Sequence, residues 1–97
     1  MVVAKLKLTL YVTGGSINSD AAIRNIKNIL KKHKVKFSLD VIDIVEKPDL
    51  AEEHKILATP VLIKESPLPF KKVVGDLSDE GIVLGILGLI TGVFGKA

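Results

Sequence analysis

Hydrophobic and polar side chains alternate along the first segment, where leucine or valine takes every second position from residue 6 to residue 12. This period of two is typical of a β-strand with one face in the core. The segment 13–16 ends the alternation, because its glycines permit backbone angles that strands exclude. Apolar residues then recur at helical spacing from residue 22 to residue 30, with Ser19 as the expected N-cap and Asp20 in the first turn. The pattern therefore predicts a strand followed by a helix.

The same kind of pattern predicts the remaining elements. Residues 37–45 are apolar at both parities, which indicates a strand buried on both faces. We expect a short helix from Pro48 to about Thr59, strands over residues 61–63 and 70–74, and a last helix from Ser78 to about Phe94. No internal repeat and no second domain is visible, so residues 1–97 are predicted to form a single domain.

Charge and composition restrict the partners of the protein. The chain has 97 residues with 14 Lys and Arg against 11 Asp and Glu, a small and mixed excess that does not indicate nucleic acid or membrane. Aromatic residues make up only 4%, which argues against a base-stacking surface. The first residues lack a charged leader before an apolar segment, so we expect a cytoplasmic protein without an integral membrane span.

Candidate catalytic chemistry is scarce. The chain has no cysteine, which excludes disulfides, thiolate metal sites and thiol chemistry. His33 and His54 fall on different predicted helices without metal-ligand spacing, so surface histidines are favoured over a metal site. Asp40 and Asp43 are three residues apart on one strand and should point to opposite faces, which argues against an acid–base pair. The serines have no nucleophile-elbow motif. We therefore expect no cofactor and no enzymatic activity.

The order of elements, βαβαββα, resembles a thioredoxin-like three-layer α/β fold. Thr59–Pro60 precedes the third strand, where that fold usually carries a cis proline, so Pro60 is predicted to be cis. Thioredoxin-like redox enzymes carry a cysteine pair after the first strand, but residues 14–19 here contain only glycine, serine, isoleucine and asparagine. The fold would consequently serve for binding rather than disulfide exchange.

Two segments admit alternative interpretations. The basic run over residues 31–36 is a solvated helix end or, less favoured, a nucleic-acid contact. The last predicted helix has no charge between its first and last glycines, which recur at spacings of four, three, four and three and so fall on one stripe. Such a stripe lets another backbone approach closely, which favours core packing or self-association over shallow membrane contact. The glycines are Gly81, Gly85, Gly88, Gly92 and Gly95. A self-associating or membrane-touching structural protein is therefore the alternative function.

From residue 8 to residue 84 the sequence resembles the KaiB family of circadian clock proteins. The most specific block is Leu50–Pro60, LAEEHKILATP, and Gly75–Asp79, GDLSD, supports it. Leu10–Val12 and Val41–Asp43 are similar to the opening and central strands of that family.

The resemblance implies a non-enzymatic regulatory protein. Family members dock on the hexameric ATPase KaiC, take part in assembling KaiA, and affect histidine kinases whose sensor domain resembles KaiB. They also interconvert between a tetrameric ground-state fold and a monomeric thioredoxin-like fold that binds the ATPase. Residues 1–50 would correspond to the half common to both folds, and residues 51–95 to the half that is rebuilt.

The resemblance also implies a partner-binding surface. Lys55 matches the lysine of the family's Glu-Glu-Asp-Lys block, which faces the ATPase. Paired lysines stand where the family has paired arginines, which keeps the charge and loses the planar fork. Asp40 falls where some members have lysine. The residues expected to contact the partner are Lys55, Asp40, Leu50, Ala51, Lys71 and Lys72.

Four residues of the last helix bear on the choice between the two folds or on helix packing: Ile86, Gly88, Gly81 and Gly85. Ile86 and Gly88 stand where the family pattern has glycine and aspartate. Their helix propensities nearly cancel, but the loss of a charge favours burial of the helix against a sheet. We therefore expect the thioredoxin-like form, with the ground-state fold as the alternative.

Overall fold

The computed structural model describes residues 5–88, which form four strands and three helices in the predicted order. The elements are β1 (Leu6–Val12), α1 (Ile17–Lys32), β2 (Phe37–Asp43), α2 (Pro48–Glu53), β3 (Val61–Ser66), β4 (Lys71–Val74) and α3 (Glu80–Ile86).

The strands form one mixed sheet in the order β2-β1-β3-β4. β1 pairs in parallel with β2, as expected when a helix such as α1 connects the two strands. β1 and β3 are antiparallel, as are β3 and β4. The parallel first pair and the antiparallel hairpin that a thioredoxin-like layout implies are therefore both present, and β2 and β4 are the edge strands.

Helices cover both faces of the sheet. The larger core lies between the sheet and the helices α1 and α3, where Leu8, Leu10, Ile26, Leu30 and Leu62 are each fully buried. Alternation along β1 sends Tyr11 to the opposite face, where it packs with residues of β3 and with Leu50 of α2. This gives three layers, with the α2 layer much the smaller.

Helix α1 begins one turn earlier than the sequence suggests. Ser16, rather than Ser19, is the N-cap, and its Oγ accepts a hydrogen bond from the Ser19 N–H at 3.3 Å. Ser19 is buried inside the helix, and its own Oγ accepts from the Thr13 N–H at 3.0 Å. Both serine hydroxyls thus accept a backbone hydrogen bond: Ser16 caps the start of α1, and Ser19 holds the loop that precedes it.

The strand limits also differ from the prediction. β2 ends at Asp43 rather than at residue 45, and no residue of β2 is fully buried, because it is an edge strand and not a central one. Its apolar residues at both parities instead continue into the loop after it, where Ile44 joins the smaller core. β3 extends to Ser66, three residues beyond the prediction, and β4 begins after Phe70.

The last helix is shorter than predicted. Asp79 is its N-cap, since its Oδ1 accepts from the Ile82 N–H at 3.1 Å. The helix ends at Ile86, and Gly88 adopts φ +75°, the left-handed conformation that commonly ends a helix. The predicted continuation to Phe94, with Gly92 and Gly95, lies outside the described residues.

Polar contacts fasten α3 to the end of α1. Glu80 accepts from Lys32 Nζ at 3.0 Å and contacts His33 Nε2 at 2.7 Å. Asn25 Nδ2 donates to the Asp76 carbonyl at 2.8 Å. The last helix is thus held by side chains from the first.

Candidate partner-binding face

The loop after β1 occupies the place where redox enzymes of this fold carry their cysteines. Gly14 donates its N–H to Asp43 Oδ1 at 3.1 Å, and the Val45 N–H donates to the same atom at 2.9 Å. A Cβ added at Gly14 would overlap the Asp43 carboxylate. Asp43 therefore organises two loops, which accounts for this carboxylate without an acid–base role.

Two threonine hydroxyls meet beneath this loop. Thr13 Oγ1 and Thr59 Oγ1 are 2.6 Å apart, and the Thr59–Pro60 peptide bond is cis, as are Ser66–Pro67 and Leu68–Pro69. The hydrogen bonds found within residues 5–88 give neither hydroxyl an imidazole or carboxylate partner. Neither threonine is therefore set up as an activated nucleophile.

Helix α2 places Lys55 at the surface. His54 is the C-cap, Lys55 follows with φ +55°, and the Ile56 N–H donates to the Ala51 carbonyl at 2.8 Å. This left-handed turn sends Ile56 back into the smaller core beside Leu50, while Lys55 stays exposed. An open groove of about 680 Å³ lies here, lined by Pro48, Asp49, Ala51, Glu52, Lys55, Ile56 and Leu57.

Lys72 lies on the same side of the molecule. A second groove of about 190 Å³, which we term the basic groove, is lined by Lys55, Ile56, Leu57, Ala58, Val61, Lys72 and Val74. Leu57 is 96% exposed and Val74 is 64% exposed, although both are apolar. The basic groove therefore combines two cationic side chains with exposed apolar surface.

The other two predicted contact residues lie elsewhere. Lys71 pairs with Lys64 in the sheet register, so its side chain points to the face covered by α1 and α3. Asp40 lies on β2, at the opposite edge of the sheet from β4 and hence roughly 14 Å from it. The structure thus brings together Leu50, Ala51, Lys55 and Lys72, but neither Lys71 nor Asp40.

The two histidines have different neighbours. His33 contacts Glu80, whereas the His54 ring lies 6.1 Å from the ring of Tyr11, whose pKa is raised mainly by burial. Residues 5–88 contain no group of three or more side chains suited to a metal ion. The basic run at the end of α1 is in part neutralised, because Lys32 pairs with Glu80.

The glycine stripe does not pack into the core where it can be described. Gly81 and Gly85 lie on α3 with exposed surface, and Gly88 is exposed beyond its end, whereas Val83 and Leu84 are the buried residues of the helix. The interpretation of these three glycines as core-packing residues is therefore wrong. Self-association through α3 stays a prediction, and Ile86 is half-buried near the helix end.

Sequence reasoning missed the exposed apolar residues Leu57 and Val74. Leu57 lies within the block that carries the family resemblance, and Val74 ends a strand that the pattern predicts. Their exposure follows from the short α2 and from the edge position of β4, and an apolar residue type alone does not indicate either. No helix within residues 5–88 has the length and apolar character needed to cross a bilayer.

Comparison with protein families gives a match to the KaiB domain over residues 9–89. The KaiB circadian clock oscillator protein of Synechococcus elongatus is 49% identical over 86 residues, which cover 88% of this chain and 84% of that protein. The corresponding protein of Nostoc punctiforme is 48% identical over 81 residues, which cover 81% of this chain and 78% of that protein.

Solved structures with the same fold include the N-terminal domain of SasA from Synechococcus elongatus. It aligns with a TM-score of 0.71 at 25% identity and covers 93% of this chain and 87% of that chain. Mitochondrial thioredoxin 3 of Saccharomyces cerevisiae aligns with a TM-score of 0.69 at 15% identity, covering 88% and 79% of the two chains. The predicted thioredoxin-like fold is confirmed.

Proposed function

This chain belongs to the KaiB family, and we propose that it is a non-enzymatic regulatory protein that docks on a KaiC-type hexameric ATPase and modulates its activity. The matched relatives are circadian clock oscillator proteins. The proposal places both proteins in the cytoplasm, with KaiA or a histidine kinase bearing a KaiB-like sensor domain as further partners.

The basic groove is the observation that carries this proposal. Lys55 and Lys72 flank exposed Leu57 and Val74, and an exposed apolar patch with a charged rim is characteristic of a protein-binding surface. Lys55 is also the residue that the family resemblance assigns to the ATPase-facing surface. The fold supports the proposal too, because the thioredoxin-like form is the one that the resemblance associates with ring binding.

Binding to the purified KaiC-type hexamer of the host tests the proposal. We expect saturable binding in at least one nucleotide state, and we expect Lys55→Glu to weaken it by about tenfold or more, since a favourable charge contact becomes a repulsive one. The measurement is a titration by biolayer interferometry with ATP and with ADP.

Lys27→Glu is the matched control, because Lys27 is an exposed lysine of α1 on the opposite side of the sheet. It makes the same change in net charge and should alter the affinity by less than about threefold, through long-range charge alone. Absence of binding in every nucleotide state would refute the proposed partner, and equal effects of the two reversals would refute the proposed surface.

A further inference from the structure

Strand β4 presents unpaired backbone groups at the edge of the sheet. Within residues 5–88 it pairs only with β3, and the Gly75 N–H donates to the Pro60 carbonyl at 2.9 Å, which fixes the hydrogen-bonding phase of the ladder. Because hydrogen-bonded and non-hydrogen-bonded pairs alternate in an antiparallel ladder, residues 71 and 73 bond to β3. The N–H and C=O groups of Lys72 and Val74 therefore point away from the sheet.

The side chains of the same two residues line the basic groove. Lys72 is opposite Ile63 and Val74 is opposite Val61, and both partners lie on the α2 face. Lys55 and Leu57 lie beside them in the groove. An incoming strand at β4 would thus gain backbone hydrogen bonds at the edge and side-chain contacts in the groove at the same positions.

The charge of this edge selects the strand that can pair with it. Two antiparallel β4 strands paired with residue 72 opposite residue 72 would oppose lysine with lysine, and like charges directly opposite each other are destabilising. A carboxylate on the incoming strand would instead contact Lys72 or Lys55, and an apolar side chain would cover Val74 and Leu57. The edge therefore disfavours this pairing with the β4 strand of a second copy and is complementary to an acidic strand.

We infer that β4 accepts an extended, acidic segment of a partner protein as a fifth strand of the sheet, with a carboxylate against Lys72 and an apolar side chain against Val74. The segment is held by backbone hydrogen bonds to residues 72 and 74. The inference rests on the proposed function only for the source of the segment, which would be the ATPase ring.

Amide hydrogen exchange with a synthetic probe tests this mode of binding. The probe is a blocked peptide in which glutamate and valine take turns at every second position with threonine between them, so that both types face the groove side of the sheet. It is titrated into the full chain and followed by NMR. Because the Lys72 and Val74 amides point outward, they should exchange rapidly in the free protein and slow by about tenfold or more when the peptide is saturating. The inward amides of residues 71 and 73 should change much less.

Lys72→Glu and Lys71→Glu form a matched pair of adjacent, exposed lysines on one strand. Reversal at Lys72 places like charges opposite each other, and we expect about tenfold weaker binding of the peptide. Reversal at Lys71, whose side chain lies on the other face, should weaken binding by less than about threefold. A peptide with lysine in place of glutamate should not bind.

Three results would overturn the inference. The first is peptide binding that shifts Lys55 resonances but leaves the Lys72 and Val74 amides unprotected, which indicates groove contact without strand pairing. The second is equal weakening by both reversals. The third is protection of the two amides in the free protein that rises with protein concentration, which identifies a second copy of the chain as the occupant.

The ring-binding titration separates this inference from the proposed function. Peptide binding without ring binding would refute the KaiC-type partner and leave the edge site standing. Ring binding that is insensitive to Lys72→Glu, together with failure of the peptide, would refute strand addition and leave the partner standing.

Discussion

At Gly14 the close approach of a backbone to a carboxylate decides which residue can be present. The Asp43 side chain fills the space where a Cβ would lie and accepts hydrogen bonds from Gly14 and Val45. Gly14→Ala should therefore move Asp43 out of both hydrogen bonds, and we expect a loss of about 1–3 kcal/mol in the free energy of unfolding. Urea denaturation of the wild type and the variant measures this difference in the free energy of unfolding.

Gly81→Ala is the control, and we expect it to change the free energy of unfolding in the opposite direction. Gly81 is an exposed position in α3, its nearest neighbour to an added Cβ is Asp79 at an ordinary 3.5 Å, and its φ is not in the left-handed region. Alanine should stabilise the protein by about 0.5–1 kcal/mol, because it raises helix propensity. If both substitutions changed stability by the same amount, the steric explanation for Gly14 would fail.

At the scale of elements, the junction between α1 and α3 makes stability depend on pH. Hydrogen bonds from His33 and Lys32 lower the pKa of the Glu80 carboxyl from its ordinary value of 4.5. A carboxyl with a lower pKa in the folded than in the unfolded chain stabilises above the unfolded value, and that contribution is lost as the pH falls through the folded value.

Glu80→Gln should remove this contribution. We expect the wild-type melting temperature to exceed that of the variant by a small amount just above pH 4.5, and the two curves to converge as the pH falls below it. Asp76, whose pKa is also lowered, by its hydrogen bonds with Ser78, titrates equally in both proteins and so cancels. A constant difference at all pH values would mean that Glu80 acts through packing alone.

Periodicity in the sequence was sufficient for the order and type of the elements, because alternation in β1 and helical spacing in α1 have a single structural interpretation. It was insufficient for β2. Apolar residues at both parities suggested a central strand, but β2 is an edge strand and some of those residues belong to the loop that follows it. The end of α3 also escaped prediction, since a glycine at position 88 is compatible with either a helical stripe or a left-handed terminus.

The sequence predicted only part of the candidate site, because it does not give the register of the strands. Lys55, Leu50 and Ala51 lie in one continuous block, so the family resemblance placed them together. Lys71 and Lys72 are adjacent in sequence, yet strand alternation sends them to opposite faces, and only the observed register decides which one joins Lys55.

At the scale of the whole molecule, the two halves of the chain share one core. Leu62 of β3 is fully buried among Leu8, Leu10 and residues of α1. Leu62→Ala should reduce the free energy of unfolding by about 2–5 kcal/mol, from lost burial and the remaining cavity. Leu57→Ala, at a site that is 96% exposed, should change it by less than about 0.5 kcal/mol.

Thermal unfolding followed by circular dichroism gives both values. A small effect of Leu62→Ala would mean that the second half of the chain is only loosely packed against the first. A large effect of Leu57→Ala would mean that this residue is covered in solution, by a second copy or by another part of the chain.

Lys55, which has a left-handed backbone, lies at a position with two requirements that no single residue type meets. The end of α2 favours glycine there, since a side chain in that conformation costs roughly 1 kcal/mol. The proposed contact requires a long cationic side chain at the same place. Lysine at this position therefore gives up a small part of the stability that glycine would provide, and in exchange it presents the side chain that the proposed contact uses.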